Sequence, residues 1–318
     1  MIALNNLLSM YYFLIHDEIE LLFQKYLRMK SNLLRLACFS LLFSLLYSCN
    51  TKDESNVTIE ESDPTLFTLL PSEETGINFI NKVQNSKEFN IFKYRNFYNG
   101  GGVAIGDINN DGLSDVFLTG NMEPNKLYLN KGDLKFEDIS EAAGIAGNKP
   151  WSTGVVMADI NNDGLLDIYV SNAGNMEGNN HDNDLFINNG NGTFTESAHE
   201  FNLAETGFST HASFFDYDKD GDLDAYILNN SNIPVSSLGY AEQRDVRAQD
   251  WEGVPKIFRG VGDMLLRNDN GKFVDVSEKA GIYGSLIGFG LGVMVIDINN
   301  DLYPDIYVSN DFYERDYL

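Results

Sequence analysis

The feature that most constrains this chain is a nine-residue acidic segment that occurs four times. It reads Asp107-Ile-Asn109-Asn-Asp111-Gly112-Leu113-Ser-Asp115, then Asp159-Ile-Asn161-Asn-Asp163-Gly164-Leu165-Leu-Asp167, then Asp216-Tyr-Asp218-Lys-Asp220-Gly221-Asp222-Leu-Asp224, and finally Asp297-Ile-Asn299-Asn-Asp301-Leu302-Tyr303-Pro-Asp305. Oxygen-bearing side chains stand at positions 1, 3, 5 and 9 each time, with glycine at position 6 in three copies. Calcium takes about six to eight oxygen ligands in flexible geometry, and an alternating Asp/Asn run closed by a glycine turn can wrap several around one ion. Asp, Asn and Gly are also ordinary turn residues, so one copy alone leaves both readings open. Four copies with the same internal spacing favour ion-binding loops. An EF-hand is excluded, because position 12 holds the apolar residues Leu118, Val170, Ile227 and Val308 where that loop needs an acid.

The flanks are β-type. Val103-Ala-Ile precedes the first segment and Asp115-Val-Phe-Leu follows it; Val155-Val-Met and Asp167-Ile-Tyr-Val flank the second. Further strands recur downstream as Leu127-Tyr-Leu-Asn130, Leu185-Phe-Ile-Asn188 and Leu265-Leu-Arg-Asn268, each followed by a Gly/Asn/Asp hairpin turn. Two of those hairpins lead into Phe136-Glu-Asp-Ile-Ser140 and Phe273-Val-Asp-Val-Ser277. One unit is thus four short strands with the acidic loop between the first and second. The loops start at residues 107, 159, 216 and 297, hence 52, 57 and 81 residues apart. Four-stranded units at such periods predict an all-β chain, a β-propeller whose blades bury their faces against one another. About three and a half blades are present, so an incomplete ring is expected. Leu66-Phe67-Thr-Leu-Leu-Pro71 with Thr75-Gly76-Ile77 reads as a fourth-strand segment that completes the last blade.

The run Gly102-Val-Ala-Ile-Gly-Asp107-Ile-Asn-Asn-Asp-Gly112 resembles the FG-GAP/VCBS repeats, the blade type of integrin α-subunit heads. From about Leu66 to Leu318 the chain resembles the ASPIC/UnbV-associated, cartilage-acidic-protein-like subset, most closely at Arg267-Asn268-Asp269, Gly288-Phe-Gly290-Leu-Gly292 and Pro304-Asp305-Ile-Tyr-Val. The resemblance implies calcium sites built from side chains 1, 3, 5 and 9 and the carbonyl of position 7. That carbonyl belongs here to Leu113, Leu165, Asp222 and Tyr303. Three to four ions are expected, the fourth loop departing from the pattern at Leu302.

Residues 1–48 read as targeting sequence, with Met29 a candidate start: Lys30 and Arg35 precede an apolar run from Leu36 to Tyr47. That run is short for a membrane span. Leu46-Tyr47-Ser48-Cys49 resembles a bacterial lipobox, implying lipidation of Cys49 and an outer-membrane or cell-surface lipoprotein. Residues 49–64 are then the lipidated N-terminus and linker, and 65–318 the blades. Cys38 and Cys49 are the only cysteines, so the blades hold no disulfide, and metal ions would take over the cross-linking.

The net charge is −25, which argues against nucleic-acid partners. Within this acidic chain, an insertion at about 232–262 gathers Tyr240, Arg244, Arg247, Trp251 and Arg259, residue types that anchor binding surfaces. No catalytic residue is assigned: His181, His199 and His211 lack Ser, Cys or His partners at motif spacing. The expectation is an exported, calcium-binding propeller scaffold for recognition or adhesion at the cell surface, with a protein or glycan ligand. The alternative is a non-catalytic accessory part of an envelope enzyme whose catalytic domain lies beyond residue 318.

Overall fold

The alternating apolar residues beside each acidic segment pair as antiparallel strands. Blade one comprises β1 (Val103–Gly106), β2 (Asp115–Leu118), β3 (Lys126–Asn130) and β4 (Phe136–Asp138). Blade two comprises β5 (Ser152–Ala158), β6 (Asp167–Asn172), β7 (Asp184–Asn188) and β8 (Phe194–Glu196). Blade three comprises β9 (Phe208–Phe215), β10 (Asp224–Asn230), β11 (Met264–Asn268) and β12 (Phe273–Asp275), and blade four begins with β13 (Gly290–Ile296) and β14 (Asp305–Asn310). Each four-stranded sheet keeps sequence order, the meander of a propeller blade. This computed structural model describes residues 66–147, 149–173, 180–230, 262–284, 288–311 and 314–318. The chain divides into two compact units, Met1–Thr68 and Leu69–Leu318, and all described strands lie in the second.

Blades pack face to face. The core between blades one and two joins Ala104 and Ile108 to Val155 and Met157, with Phe117, Leu127, Ile168 and Phe186 fully or nearly buried. The next joins Val156, Ala158 and Ile160 to Ala212 and Phe214, and the third joins Tyr226 and Leu228 to Val293 and Val308. After the fourth strand of each complete blade comes a one-turn helix: Ser140–Ala143, Ala198–Phe201 and Ser277–Ala280. Each ends in a left-handed residue (Gly144, Asn202, Gly281) and feeds Ile145, Leu203 or Ile282 into the following interface.

Ser72–Thr75, with left-handed Gly76, repeats that helix before blade one. Residues 66–71, however, form no strand, correcting the expected fourth strand there. A fourth strand needs a third to pair with, and none is described beside it. The ring is not closed. Val103 and Ile105 on the leading face of blade one are exposed, as are Met294 and Ile296 on the trailing face of blade four, whereas their counterparts in the middle blades are covered. Tyr317 bridges Val308, matching the pairings of Lys126 with Leu118 and Met264 with Ile227. Residues 316–318 thus occupy the start of a third strand.

The first strands crowd together at their N-terminal ends. A Cβ on Gly154 would lie 2.6 Å from the Thr210 carbonyl oxygen and 2.9 Å from His211 Cα. Threonine hydroxyls stitch neighbouring blades: Thr119 Oγ1 donates to the Thr153 carbonyl at 2.5 Å, Thr153 Oγ1 to Ser209 at 2.7 Å and Thr210 Oγ1 to Gly290 at 2.8 Å. Trp151 caps this end in an aromatic cluster with Phe89, Tyr94 and Phe97.

Candidate metal centres

All four acidic segments fold as the same turn. Position 4 takes the left-handed region (Asn110 φ 57°, Asn162 59°, Lys219 65°, Asn300 61°), and so does position 6 (Gly112 86°, Gly164 86°, Gly221 100°, Leu302 73°). Leucine is therefore held in a conformation suited to glycine, and the fourth loop keeps the shape of the others.

Backbone amides aim the oxygens inward. The position-1 carboxylate accepts from the N–H of positions 5 and 6: at 3.1 and 2.7 Å for Asp107, 2.9 and 2.8 Å for Asp159, 3.1 and 3.1 Å for Asp216, and 3.1 and 2.8 Å for Asp297. The position-5 carboxylates of Asp111, Asp163, Asp220 and Asp301 accept from the N–H of position 7. The position-9 carboxylate accepts from position 2 in every loop: Asp115 from Ile108, Asp167 from Ile160, Asp224 from Tyr217 and Asp305 from Ile298. At position 3 the loops diverge. Asn109, Asn161 and Asn299 accept from the position-5 N–H. In the third loop, Asp216, Asp218 and Asp224 instead offer carboxylate oxygens within 4.8 Å of one another.

Asp115, Asp167 and Asp224 are fully buried. Burial pushes the Asp167 carboxyl up to about 6, against the N–H groups of Asn188 and Ile160 that favour its charged form. Asp115 and Asp224 shift the same way for the same first cause, with acids of their own loops adding to it. The Asp222 carboxyl is also pushed up to about 6, by burial and then by Asp220 and Asp224, and its Oδ1 is buried without a hydrogen-bond partner. The sequence reading gave Asp222 only a carbonyl role; its carboxylate crowds the same site. A cation among these oxygens would relieve desolvation and repulsion together. The donors are all oxygens, as calcium requires.

One residue escaped the sequence reading although it recurs in all three hairpins: the asparagine ending the third strand. Its N–H donates to the position-9 carboxylate (Asn130 to Asp115 at 2.7 Å, Asn188 to Asp167 at 2.9 Å, Asn268 to Asp224 at 2.9 Å), and its amide donates to the position-8 carbonyl. This ties each loop to the hairpin beside it. Adjacent loops also touch: Asn110 Nδ2 donates to the Gly164 carbonyl at 3.1 Å, and Lys219 Nζ sits 3.5 Å from the centre of the Tyr303 ring. Cys49, residues 1–64 and the insertion residues Tyr240, Arg244, Arg247, Trp251 and Arg259 lie outside the described residues.

Residues 94–170 and 173–227 match the FG-GAP-like repeat family. Over those residues the chain carries FG-GAP-like repeats, their strand–loop–strand turns set in four-stranded blades of β-propeller type. Its sequence is similar to Cartilage acidic protein 1 of Xenopus tropicalis, 42% identical over 78 residues, and of Homo sapiens, 40% identical over 76 residues. Each match takes in 24% of this chain and only 12% of the relative's length. An Agrocybe aegerita lectin, solved to explain specific recognition of non-reducing terminal N-acetylglucosamine, aligns with 64% of this chain and 45% of its own at TM-score 0.32 and 17% identity. So loose a superposition carries no argument here.

Proposed function

We propose that this chain is an exported, calcium-stabilised β-propeller scaffold that recognises a protein or glycan at the cell surface, without catalysis of its own. The observation that carries the calcium part is the third loop, where three carboxylates converge within 4.8 Å and Asp224 is fully buried. Uncompensated charges at that density oppose folding, and an oxygen-bound divalent ion removes the conflict. The other three loops share its backbone, so three to four ions per chain are expected. Their role is structural: each fixes the turn between the first two strands of a blade.

Recognition is supported by the fold class, since rigid blades carry variable loops that can bind, and by the basic and aromatic insertion around Trp251 and Arg259. Export and anchoring rest on the Leu46–Cys49 lipobox resemblance and predict palmitate labelling that is lost in Cys49→Ala. Ion counting after equilibrium dialysis tests the metal reading: three or four calcium ions per chain, one fewer in Asp216→Ala. A glycan and surface-protein array probed in calcium and in chelator tests recognition. Absence of calcium-dependent binding on both arrays would contradict it.

A further inference from the structure

At the crowded N-terminal ends of the first strands lies a cavity of about 360 Å³, lined by Tyr94, Asn96, His211 and Leu291 among others. That is the size of a small-ligand site, roughly 300–1,000 Å³. His211 stands where the other three blades have glycine, at Gly102, Gly154 and Gly292. Its imidazole makes no hydrogen bond with a described residue, and burial alone lowers its pKa, keeping the ring neutral. Tyr94 is only 5% exposed and its ring is wedged against Phe89 and Trp151; its buried hydroxyl has the Asn96 side chain beside it but makes no hydrogen bond of ordinary geometry. Buried polar groups normally find partners, so the Tyr94 hydroxyl, with the partly buried His211 ring on the same cavity, points to a ligand that supplies the missing bonds.

The chemistry of the lining narrows that ligand. The hydroxyls of Thr153 and Thr210 are already given to strand carbonyls. What remains is an imidazole, a phenol and the amides of Asn96 and Asn99, groups that in neutral form both donate and accept. Among the described residues, no Asp, Glu, Lys or Arg lines the cavity, so a charged ligand meets no counter-charge from them, and an anion must also enter the field of a chain of net charge −25. Leu291 and Val293 supply an apolar wall. A ring with hydroxyls on its rim and C–H groups on its face satisfies each of these demands.

We propose that this cavity binds a neutral, polyhydroxylated molecule of monosaccharide size through His211 and Tyr94. The proposal deepens the recognition reading and rests on it. The test titrates methyl glycosides of neutral hexoses into the full chain in calcium, following the His211 ring nitrogens by NMR and affinity by calorimetry. His211→Gly restores the residue of the other blades at a cost of about 0.4–1 kcal/mol in chain entropy, and Tyr94→Phe removes only a hydroxyl, so both variants should stay folded with midpoints within about 4 °C of the parent's. Expected are millimolar dissociation constants, weakened about tenfold in either variant as for one lost hydrogen bond, and no binding of gluconate or glucosamine. Neutral hexoses that leave the His211 signals unmoved, or that bind both variants as tightly as the parent, overturn the cavity assignment. Array binding that survives in both variants would then leave recognition standing elsewhere on the molecule. A parent chain that binds nothing on the arrays removes both readings.

Discussion

Leu302 occupies a left-handed position, at φ 73°, that is glycine in the other three loops. For a residue with a Cβ that conformation costs about 1–2 kcal/mol. The side chain is 78% exposed, so removing it forfeits little burial. Leu302→Gly relieves the strain but frees the unfolded chain, an opposing entropic term of about 0.4–1 kcal/mol. The net expectation is a stabilisation of roughly 0.5–1 kcal/mol, or about 1–4 °C in unfolding midpoint for a chain of this size. Measured in chelator, the gain reports backbone strain alone; in calcium it should grow if the relaxed loop binds its ion better. The converse change, Gly164→Leu, should cost about 1–2 kcal/mol. A Leu302→Gly protein that melts lower than the parent, alongside a Gly164→Leu protein that melts the same, would refute the reasoning.

Three further outcomes follow from the packing. The buried Asp263 accepts from the Tyr226 hydroxyl and the Asn229 N–H, and burial pushes its carboxyl up to about 7 from 3.8. Between those values the folded state holds the proton more tightly than the unfolded state, so stability falls as pH rises through about 4 to 7 and levels off above. Asp263→Asn installs the residue that blades one and two carry there, Asn125 and Asn183, and should abolish that fall. Denaturant melts at pH 5 and pH 8 measure it, with an upper bound of roughly 3 kcal/mol on the drop between them. Asn188→Ala should cost about 2–3 kcal/mol by the same assay, because Asn188 Nδ2 serves the Ile108 and Leu166 carbonyls at 2.8 and 3.1 Å. Gly154→Ala should cost about 1–3 kcal/mol by overpacking, given the 2.6 Å approach to the Thr210 carbonyl oxygen.

Most of the blade plan was legible because its signals are local. Strand alternation around Asp107 and Asp159, the hairpin glycines and the repeat period each follow from neighbouring residues, and the strands fall where those signals place them. The asparagines at 130, 188 and 268 were visible as a repeat, but their role was not, since each serves a loop at least 15 residues earlier. The expected strand at residues 66–71 failed for the complementary reason: its sequence resembles Phe136–Ser140, but a strand exists only where a neighbour pairs with it. Nor did the sequence reveal that Asp263 and Asp316 play one part, each taking a tyrosine hydroxyl (from Tyr226 and Tyr307) and the N–H of Asn229 or Asn310. That likeness appears only once the strands are in register. His211 was visible only as a histidine without catalytic partners at motif spacing; its place on a cavity wall, with no hydrogen bond to a described residue, is a fact of three-dimensional packing.

The central claim is that the four acidic loops are ion sites on which the fold depends. The most direct test is the thermal unfolding midpoint of the whole chain in millimolar calcium, in excess chelator and in magnesium. The account predicts a large rise specific to calcium that shrinks stepwise as Asp107, Asp159 and Asp216 are each changed to Ala. Equal midpoints in calcium and chelator, in a sample that unfolds cooperatively, would contradict it and leave the acidic segments as turns.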